Sequence, residues 1–420
     1  MNILVIHQNF VDHQHPGGTR HLELARHWVR AGHQVTIVAG SVDYLTGRPI
    51  ERSAELGDGP CAGVRVRRAY TLPTLHRSFA WRAASFASFM VTSIGVACRA
   101  GRTDIVLGTS PPIFQLLSAW LVASSRRCPL VLEIRDLWPA FAIEMGILRN
   151  RLLIHLAQRM ERFFYARATH LVVNSPAYRT YLLDQGVSSG KITVIPNGVD
   201  ADMFAGETDG DRLRRELGLQ DHFVVTYAGA LGQANDIPTI LRAARRLRAD
   251  GQIHFLLVGD GKERESLARL ARAWDLRNVT FAGAFPKQRM AEVLAASDAC
   301  VATLQDLPMF RTTYPNKVFD YMAAARPTLL GIDGVIREVL EDAQGGLYFP
   351  PGNDEALASA IVRLRNDPAA ALRLGQNSRE YVAARFDRGV HAARFEQLLG
   401  CLVDRRPVPE LDEELVPTLR

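Results

Sequence analysis

The feature that most constrains the fold is a repeated alternation of short apolar runs with amphipathic helices. The apolar run at residues 2–6 precedes the helical pattern at residues 19–31, and residues 33–40 return to an apolar run. Continuous apolar runs of this length are typical of strands buried on both faces. Strand–helix–strand units of this kind form parallel sheets with right-handed crossovers. The sequence therefore predicts an α/β fold with parallel sheets.

The alternation occurs in two series, which indicates two domains. Further strands are predicted at "DIVLGTS", "LVLEIRD", "THLVVNS", "FVVTYAG", "HFLLVGDG", "VTFAGAF", "ACVATL" and "PTLLG". A chain of 420 residues is long enough for two domains of ordinary size. We predict an N-terminal domain at 1–200, a C-terminal domain at 201–403 and a polar tail at 404–420. Ligands on such sheets bind at the carboxyl ends of the strands.

Composition narrows the class of partner. The formal charge is +6, and residues 1–200 hold 22 Lys and Arg against 13 Asp and Glu. A basic half indicates an anionic partner such as phosphate or phospholipid, or only a solvated surface. No basic run is interleaved with aromatic residues, so we predict no nucleic-acid partner. The five cysteines are widely spaced, which predicts reduced thiols, a cytoplasmic location and no metal site.

Residues 307–331 carry the most informative chemistry, in "LPMFRTTYPNKVFDYMAAARPTLLG". Pro315 suits the first turn of a helix on which Lys317 and Asp320, three residues apart, share a face. The helix N-terminus and Lys317 could hold a diphosphate, while Asp320 accepts hydrogen bonds from ribose hydroxyls. An ordinary surface salt bridge between Lys317 and Asp320 is the alternative.

Landmarks in a fixed order extend along nearly the whole chain. They include "TSPP", "EIRDLWP", "VVNSPAYRTYL", "KITVIPNGVD", "YAGALG", "LLVGDGKERESL" and "PNKVFDYMAAARPTLL". In this order and spacing the chain resembles the retaining family 4 glycosyltransferases of the GT-B fold. It is most similar to the subgroup that builds bacterial surface polysaccharides, including aminosugar transferases of O-antigen and capsule synthesis.

The resemblance implies two Rossmann-like domains that face each other across a cleft. It also implies transfer of a hexosyl or N-acetylhexosaminyl group from a nucleoside diphosphate sugar, with UDP as the expected nucleotide. The anomeric configuration would be retained, and the acceptor would be a glycan or a polyprenyl-linked glycan. No cofactor and no metal are expected, because a lysine and backbone donors can stabilise the leaving diphosphate.

Two departures from the family pattern concern the donor site. Of the family's two signature glutamates, the second, ribose-binding position is Asp320 and the first is Thr312. The usual phosphate-binding arginine and lysine are replaced by Ala230 and Asn235. We therefore expect Lys317, together with Lys262 and Arg311, to neutralise the diphosphate. The residues expected to contact the donor are Gly17, Gly18, Gly229, Gly261, Lys262, Phe285, Arg311, Asn316 and Asp320.

Two further predictions concern the N-terminal domain. Asp136 is a candidate to orient the acceptor or the sugar, and with Lys317 it completes the predicted catalytic pair; a buried partner for Arg135 is the alternative. Gly17 and Gly18 would let backbone approach the donor, or simply turn the chain. Residues 76–90 mix aromatic and cationic side chains, which favours either peripheral membrane contact, at the inner face of the cell membrane, or a helix packed on the sheet.

Two other functions remain open. A nucleotide-sugar epimerase would need an acid–base pair at the sugar, and Thr312 and Arg135 offer no obvious one. A non-catalytic nucleotide-sugar or glycan-binding protein would explain the missing first glutamate. Donor turnover separates these readings from glycosyl transfer.

Overall fold

The computed structural model describes residues 1–12, 18–43, 47–50, 63–74, 79–204 and 209–409. The chain forms two compact units, the first made of Met1–Pro196 with Gly389–Arg420 and the second of Asn197–Arg388. Each unit carries one sheet, and every pair of neighbouring strands in it is parallel. The predicted α/β fold, with two Rossmann-like domains that each hold a parallel sheet, is confirmed.

The sheet of the first unit has seven strands in the order β3-β2-β1-β4-β5-β6-β7. Its strands are β1 (Asn2–Ile6), β2 (Gln34–Gly40), β3 (Arg65–Ala69), β4 (Ile105–Ser110), β5 (Leu130–Ile134), β6 (His170–Val173) and β7 (Ile192–Val194). Its helices are α1 (Arg20–Arg30), α2 (Phe79–Cys98), α3 (Gln115–Arg126), α4 (Ala140–Glu144), α5 (Arg151–Arg167) and α6 (Pro176–Asp184).

The sheet of the second unit has six strands in the order β10-β9-β8-β11-β12-β13. Its strands are β8 (Phe223–Ala228), β9 (Ile253–Val258), β10 (Val279–Gly283), β11 (Ala299–Thr303), β12 (Thr328–Gly331) and β13 (Gly346–Tyr348). Its helices are α7 (Gly210–Leu217), α8 (Ile237–Arg246), α9 (Arg264–Ala273), α10 (Met290–Ala295), α11 (Asn316–Ala323), α12 (Val335–Asp342), α13 (Asp354–Asn366) and α14 (Pro368–Arg385).

The C-terminal helix α15 (Arg388–Val403) differs from the predicted domain boundary, which placed it with residues 201–403. From Gly389 onward the chain belongs to the first unit. The physical reason is apolar packing: Phe395 is fully buried with its ring centroid 5.4 Å from that of Trp28 on α1. The Trp28 indole also donates a hydrogen bond to the carbonyl of Ala392. The predicted tail at 404–420 is described only to residue 409.

Each sheet has one point where the strand order reverses direction. It lies between β1 and β4 in the first unit and between β8 and β11 in the second. Loops that leave such a pair of strands diverge, which opens a crevice at their carboxyl ends, and ligands of doubly wound folds bind there. The candidate site is therefore sought at these two switch points.

Candidate functional site

Lys317 lies at the switch point of the second unit. Its Nζ donates hydrogen bonds to the Tyr227 hydroxyl at 2.8 Å and to Oδ1 of Asn235 at 2.6 Å. Tyr227 belongs to the end of β8, and the carbonyl of Asn235 accepts a hydrogen bond from Thr303 at the end of β11. Lys317 thus spans the crevice between the two strands. The sequence predicted the importance of Lys317 but not these two partners.

The helix α11 is fixed to β8 by Tyr321, one turn after Lys317. Its hydroxyl accepts a hydrogen bond from the backbone N–H of Ala228 and donates one to the carbonyl of the same residue. Residues four apart share a helix face, so the bond that holds Tyr321 against β8 also aims Lys317 at that strand. Tyr321 is fully buried, and a tyrosine at this spacing was the signal that sequence reasoning missed.

When it is protonated, Lys317 carries a positive charge that no carboxylate of the described residues neutralises. It forms no ion pair with a carboxylate among the residues that the structure describes, and its Nζ lies 4.4 Å from the centroid of the Tyr227 ring. Burial lowers the pKa of Lys317 to about 7. Two of its three N–H donors are used by Tyr227 and Asn235. An anion placed at the third would restore the charged form.

Glycines bring the loops around Lys317 together. A Cβ on Gly229 would lie 3.2 Å from Nζ of Lys317, so a side chain there would crowd the ammonium group. A Cβ on Gly259 would lie 1.8 Å from the carbonyl oxygen of Gly229, and one on Gly261 would lie 2.5 Å from that of Leu231. Gly261 therefore serves close loop packing in the structure. Its predicted contact with a donor stays a prediction.

Asp320 does not pair with Lys317. Its Oδ2 lies 2.6 Å from Nζ of Lys287, which follows β10. The surface salt bridge between Lys317 and Asp320, weighed as an alternative, does not form. Both members of the Asp320–Lys287 pair are largely buried, so the carboxylate is held in one orientation at the carboxyl edge of the sheet. Nearby, the guanidinium of Arg289 lies 4.7 Å from the centroid of the Phe285 ring.

The other predicted donor residues of this unit are not joined to Lys317. Lys262 and Asn316 are exposed. Arg311 is also exposed and pairs with Asp306 at 3.0 Å, so part of its charge is already matched. Thr312 donates a hydrogen bond to the carbonyl of Met309 within the short 3₁₀ helix Pro308–Thr312. Three cations were expected to bind phosphate: Lys317, Lys262 and Arg311. Lys317 is the one whose Nζ is held at the switch point, and its role in phosphate binding stays a prediction.

In the first unit, Asp136 follows β5 and is half-buried. Burial raises the pKa of the Asp136 carboxyl to about 6, and the charge of Arg135 opposes that rise. Nε of Arg135 is buried and has no hydrogen-bond partner among the described residues. The alternative was that Asp136 serves as the partner of Arg135. Among the described residues the two side chains form no hydrogen bond or ion pair and interact only through the proximity of their charges. The predicted catalytic role stays a prediction.

A buried charge network at the switch point of the first unit was missed from the sequence. Glu133 in β5 is fully buried, with Oε1 2.8 Å from Nε of Arg20 and Oε2 2.5 Å from Nε2 of His21. Burial alone would raise the pKa of Glu133, but Arg20, His21 and Arg135 outweigh it and hold the pKa well below its ordinary value. The signal was a lone glutamate within an apolar strand.

Two histidines complete this network. The ring centroid of His7, after β1, lies 4.2 Å from that of His21. Nδ1 of His7 lies 2.8 Å from the hydroxyl of Thr109 at the end of β4, so the contact crosses the switch point. Burial, then the charge of His21, lowers the pKa of His7 well below its ordinary value.

The two remaining predictions for the first unit fall near the edge of the described residues. Gly17 lies outside them, and Gly18 is exposed just before α1. Of residues 76–90, those from 79 onward belong to α2, where Phe89 is fully buried and Phe86 stacks on Phe114. Trp81 is exposed. Within the described chain, α2 is largely a packed helix, and membrane contact through this segment stays a prediction.

Comparison with known proteins gives the family. The model "Glycosyl transferase 4-like domain" matches residues 17–198, and the model "Glycosyl transferases group 1" matches residues 222–367. The probable glycosyltransferase WbjE of Pseudomonas aeruginosa is 24% identical over 69% of this chain and 75% of its own length. The putative colanic acid biosynthesis glycosyl transferase WcaI of Escherichia coli is 24% identical over 65% of this chain and 70% of its own length.

A solved structure gives the fold. HepE of Anabaena, in complex with UDP-glucose, superposes with a TM-score of 0.71 at 19% identity and covers 95% of this chain and 99% of its own. Three other curated relatives match over only 50% to 65% of their length. Two glycosyltransferase domain models, one in each half of the chain, and a matching two-domain fold lead to one assignment. The chain belongs to the GT-B glycosyltransferases, with a family 4-like N-terminal domain and a group 1 C-terminal domain.

Proposed function

We propose that this protein transfers a hexosyl or N-acetylhexosaminyl group from a UDP-sugar to a glycan or lipid-linked acceptor of a bacterial surface polysaccharide. The transfer retains the anomeric configuration. Support for the donor comes from HepE, which binds UDP-glucose, and support for the pathway comes from WcaI, named for colanic acid biosynthesis. In this proposal α11 and the loop after β8 hold the nucleotide.

One observation is the main support for the proposed donor site. The family's phosphate-binding lysine would stand at position 235, where this chain has an asparagine, and Nζ of Lys317 lies 2.6 Å from the side chain of that asparagine. The ammonium group of Lys317, which belongs to α11, therefore lies beside the position where the family's lysine would stand. Because Lys317 has no carboxylate partner in the described chain, a diphosphate there gains a full charge–charge contact.

The chemistry follows from this placement. When the bond between the sugar and the diphosphate breaks, negative charge grows on the departing oxygen, and a fixed cation in a desolvated site stabilises it. In our proposal Lys317 supplies that charge, so turnover persists in the presence of EDTA. Asp320 accepts hydrogen bonds from the ribose hydroxyls, and Asp136 in the first unit orients the acceptor hydroxyl.

The test compares two lysines in one unit. Ligands that bind only the folded state raise its stability by about 2.7 kcal/mol at a hundredfold excess over Kd. UDP should therefore raise the melting temperature of the native protein. Lys317→Met should weaken UDP binding about 10- to 100-fold, the value of one charge-assisted contact. Lys262→Met is the comparison variant. Lys262 was also expected to contact the donor, but it is exposed and, among the described residues, forms no hydrogen bond with Lys317, so its loss should weaken UDP binding less.

Turnover is followed by mass spectrometry with a panel of nucleotide sugars. Transfer or slow donor hydrolysis supports the proposal. An isomerised donor indicates an epimerase, and UDP binding without turnover of any donor indicates a binding protein. Equal losses of UDP affinity in Lys262→Met and Lys317→Met would contradict the assignment of the phosphate site to Lys317.

A further inference from the structure

Exposed apolar side chains are concentrated on one element of the first unit. Of the eleven large apolar side chains that are exposed in the described chain, five lie between Ile147 and Phe163. The two most exposed of these are Leu152, at 75%, and Leu156, at 60%. Single exposed leucines are ordinary, but a cluster on one short segment marks an interaction surface.

The cluster forms a stripe along α5. Leu152, Leu156, Arg159, Phe163 and Arg167 follow one another at spacings of four, three, four and four residues, which places them on one face of the helix. All five are exposed. The opposite face is buried and includes Ala157, Glu161, Phe164 and Tyr165. The helix therefore has two apolar faces, and its own unit covers only one of them.

The stripe belongs to a wider outer surface. Strands β4, β5 and β6 follow one another in the direction opposite to β1, β2 and β3, so right-handed crossovers place α3 and α5 on the same face of the sheet. The rings of Trp120 on α3 and Phe163 on α5 meet edge to face, with centroids 5.0 Å apart. Leu121, beside Trp120, is exposed as well.

The charged side chains of α5 are mostly basic. The helix contains four arginines and a single acidic residue, Glu161. Glu161 is buried and accepts a hydrogen bond from the Tyr165 hydroxyl, so it does not neutralise the stripe. Arg159 forms no ion pair in the described chain, and the guanidinium of Arg167 lies 5.5 Å from the centroid of the Phe163 ring.

We propose that this α5 stripe docks on an anionic lipid membrane, with its leucines and Phe163 in the interface and its arginines at the level of the headgroups. Apolar side chains interleaved with arginine on one helix face are what an interfacial helix requires. Anionic lipids attract each basic residue near their surface. A second copy of the chain fits less well, because a symmetric contact would bring the arginines of both copies together.

This proposal moves the membrane contact from residues 76–90 to α5. In the described part of α2, Phe89 is buried and Phe86 stacks on Phe114, whereas α5 presents its leucines to solvent. The surface is also independent of donor chemistry. The docking test below therefore reads the same way whether or not the proposed sugar transfer is correct.

The experiment is co-sedimentation of the full chain with vesicles. One vesicle contains phosphatidylcholine with 30% phosphatidylglycerol, about the share of anionic lipid that gives a strong surface potential; the other contains phosphatidylcholine only. The native chain should bind the anionic vesicle and lose that binding at high salt. Leu152→Ser with Leu156→Ser should weaken binding at least about tenfold, because two leucines lose their burial in the interface.

Three further variants make the result specific. Leu372→Ser removes an equally prominent leucine, 62% exposed on α14, and should leave vesicle binding unchanged. Arg159→Gln with Arg167→Gln removes both arginines of the stripe and should weaken binding at least about tenfold on anionic vesicles alone. Trp81→Ser tests residues 76–90, the segment for which the sequence predicted membrane contact. Because all the altered side chains are exposed or partly exposed, unchanged melting temperatures would confirm that the variants fold.

Binding that follows this pattern supports the proposal. It is overturned if the chain ignores both vesicles, or if the two leucine substitutions leave binding intact. It is also overturned if Trp81→Ser alone abolishes binding, or if sedimentation shows that the leucine substitutions dissociate an oligomer that does not bind vesicles.

Discussion

The two switch points of this chain hold opposite kinds of charge arrangement. At β1 and β4 a buried glutamate is matched by an arginine and a histidine within hydrogen-bond distance. At β8 and β11 the hydrogen-bond partners of a lysine, within the part of the chain that the structure describes, are a phenol and an amide. In the first arrangement the carboxylate and its cationic partners neutralise each other inside the protein. In the second, no carboxylate of the described residues neutralises the protonated lysine. A ligand is therefore needed at the second switch point, because an uncompensated charge in a crevice favours binding its counter-ion.

The same contrast separates structural from ligand-binding roles. The guanidinium of Arg20 also donates to the carbonyls of Ile195 and Pro196, so the Glu133 network ties α1 and β5 to the end of β7. Removing one member of such a network leaves a buried charge without a partner. Removing Lys317 leaves only neutral groups behind. Substitutions at the two points should therefore affect different measurements.

The largest expected effect is on stability. Glu133→Gln should lower the free energy of unfolding by about 3–5 kcal/mol, because Arg20 remains buried without its carboxylate. Chemical denaturation measures this. The matched control is Glu396→Gln, since Glu396 pairs with His33 nearer the surface of the same unit and should cost about 1 kcal/mol or less. If Glu133→Gln lowers the free energy of unfolding no more than the control does, the structural role of the Glu133 network is contradicted.

The second prediction uses the pH dependence of donor binding. With a pKa of about 7, Lys317 loses its proton as the pH rises through neutrality. A bound diphosphate favours the charged form and raises that pKa, so binding above pH 7 takes up a proton. The Kd for UDP-glucose, whose phosphates do not titrate near neutrality, should be flat below about pH 7. Above it, Kd should rise by up to about tenfold per pH unit.

Lys317→Arg provides the control for this profile. A guanidinium stays charged throughout the range, so its Kd should not change with pH, whatever its absolute value. Calorimetry in buffers of different ionisation enthalpy counts the proton directly. A native profile that is flat to pH 9, or one that survives in Lys317→Arg, would assign the titration to another group.

Burial explains which strands and helices could be predicted from the sequence. Central strands such as β1 and β9 are continuous apolar runs, and they were recognised because both of their faces are covered. The edge strands β3 and β13 were missed, since "RVRRA" and "GLY" carry neither an apolar run nor a clear alternation. The placement of α15 in the first unit depends on long-range packing against Trp28, which no local pattern encodes.

The candidate site could likewise be predicted only in part, because its contacts are long-range. Lys317 and Asp320 could be named from their spacing, but their partners could not, because Tyr227, Asn235 and Lys287 lie 90, 82 and 33 residues away along the chain. The Glu133 network was hidden for a related reason. A lone charge in an apolar strand demands a partner, yet nothing local says that Arg20 and His21 supply it.

The smallest expected effect sharpens the donor site into two parts. Asp320→Asn keeps the shape of the side chain but removes the charged acceptor for ribose hydroxyls, so UDP should bind about three- to tenfold more weakly. A UDP analogue without the 2′ and 3′ hydroxyls should not distinguish Asp320→Asn from the native protein. Lys317→Met should weaken both ligands equally, because both keep the diphosphate. Loss of analogue binding in Asp320→Asn would mean that the Asp320–Lys287 pair only holds the loop after β10 in place.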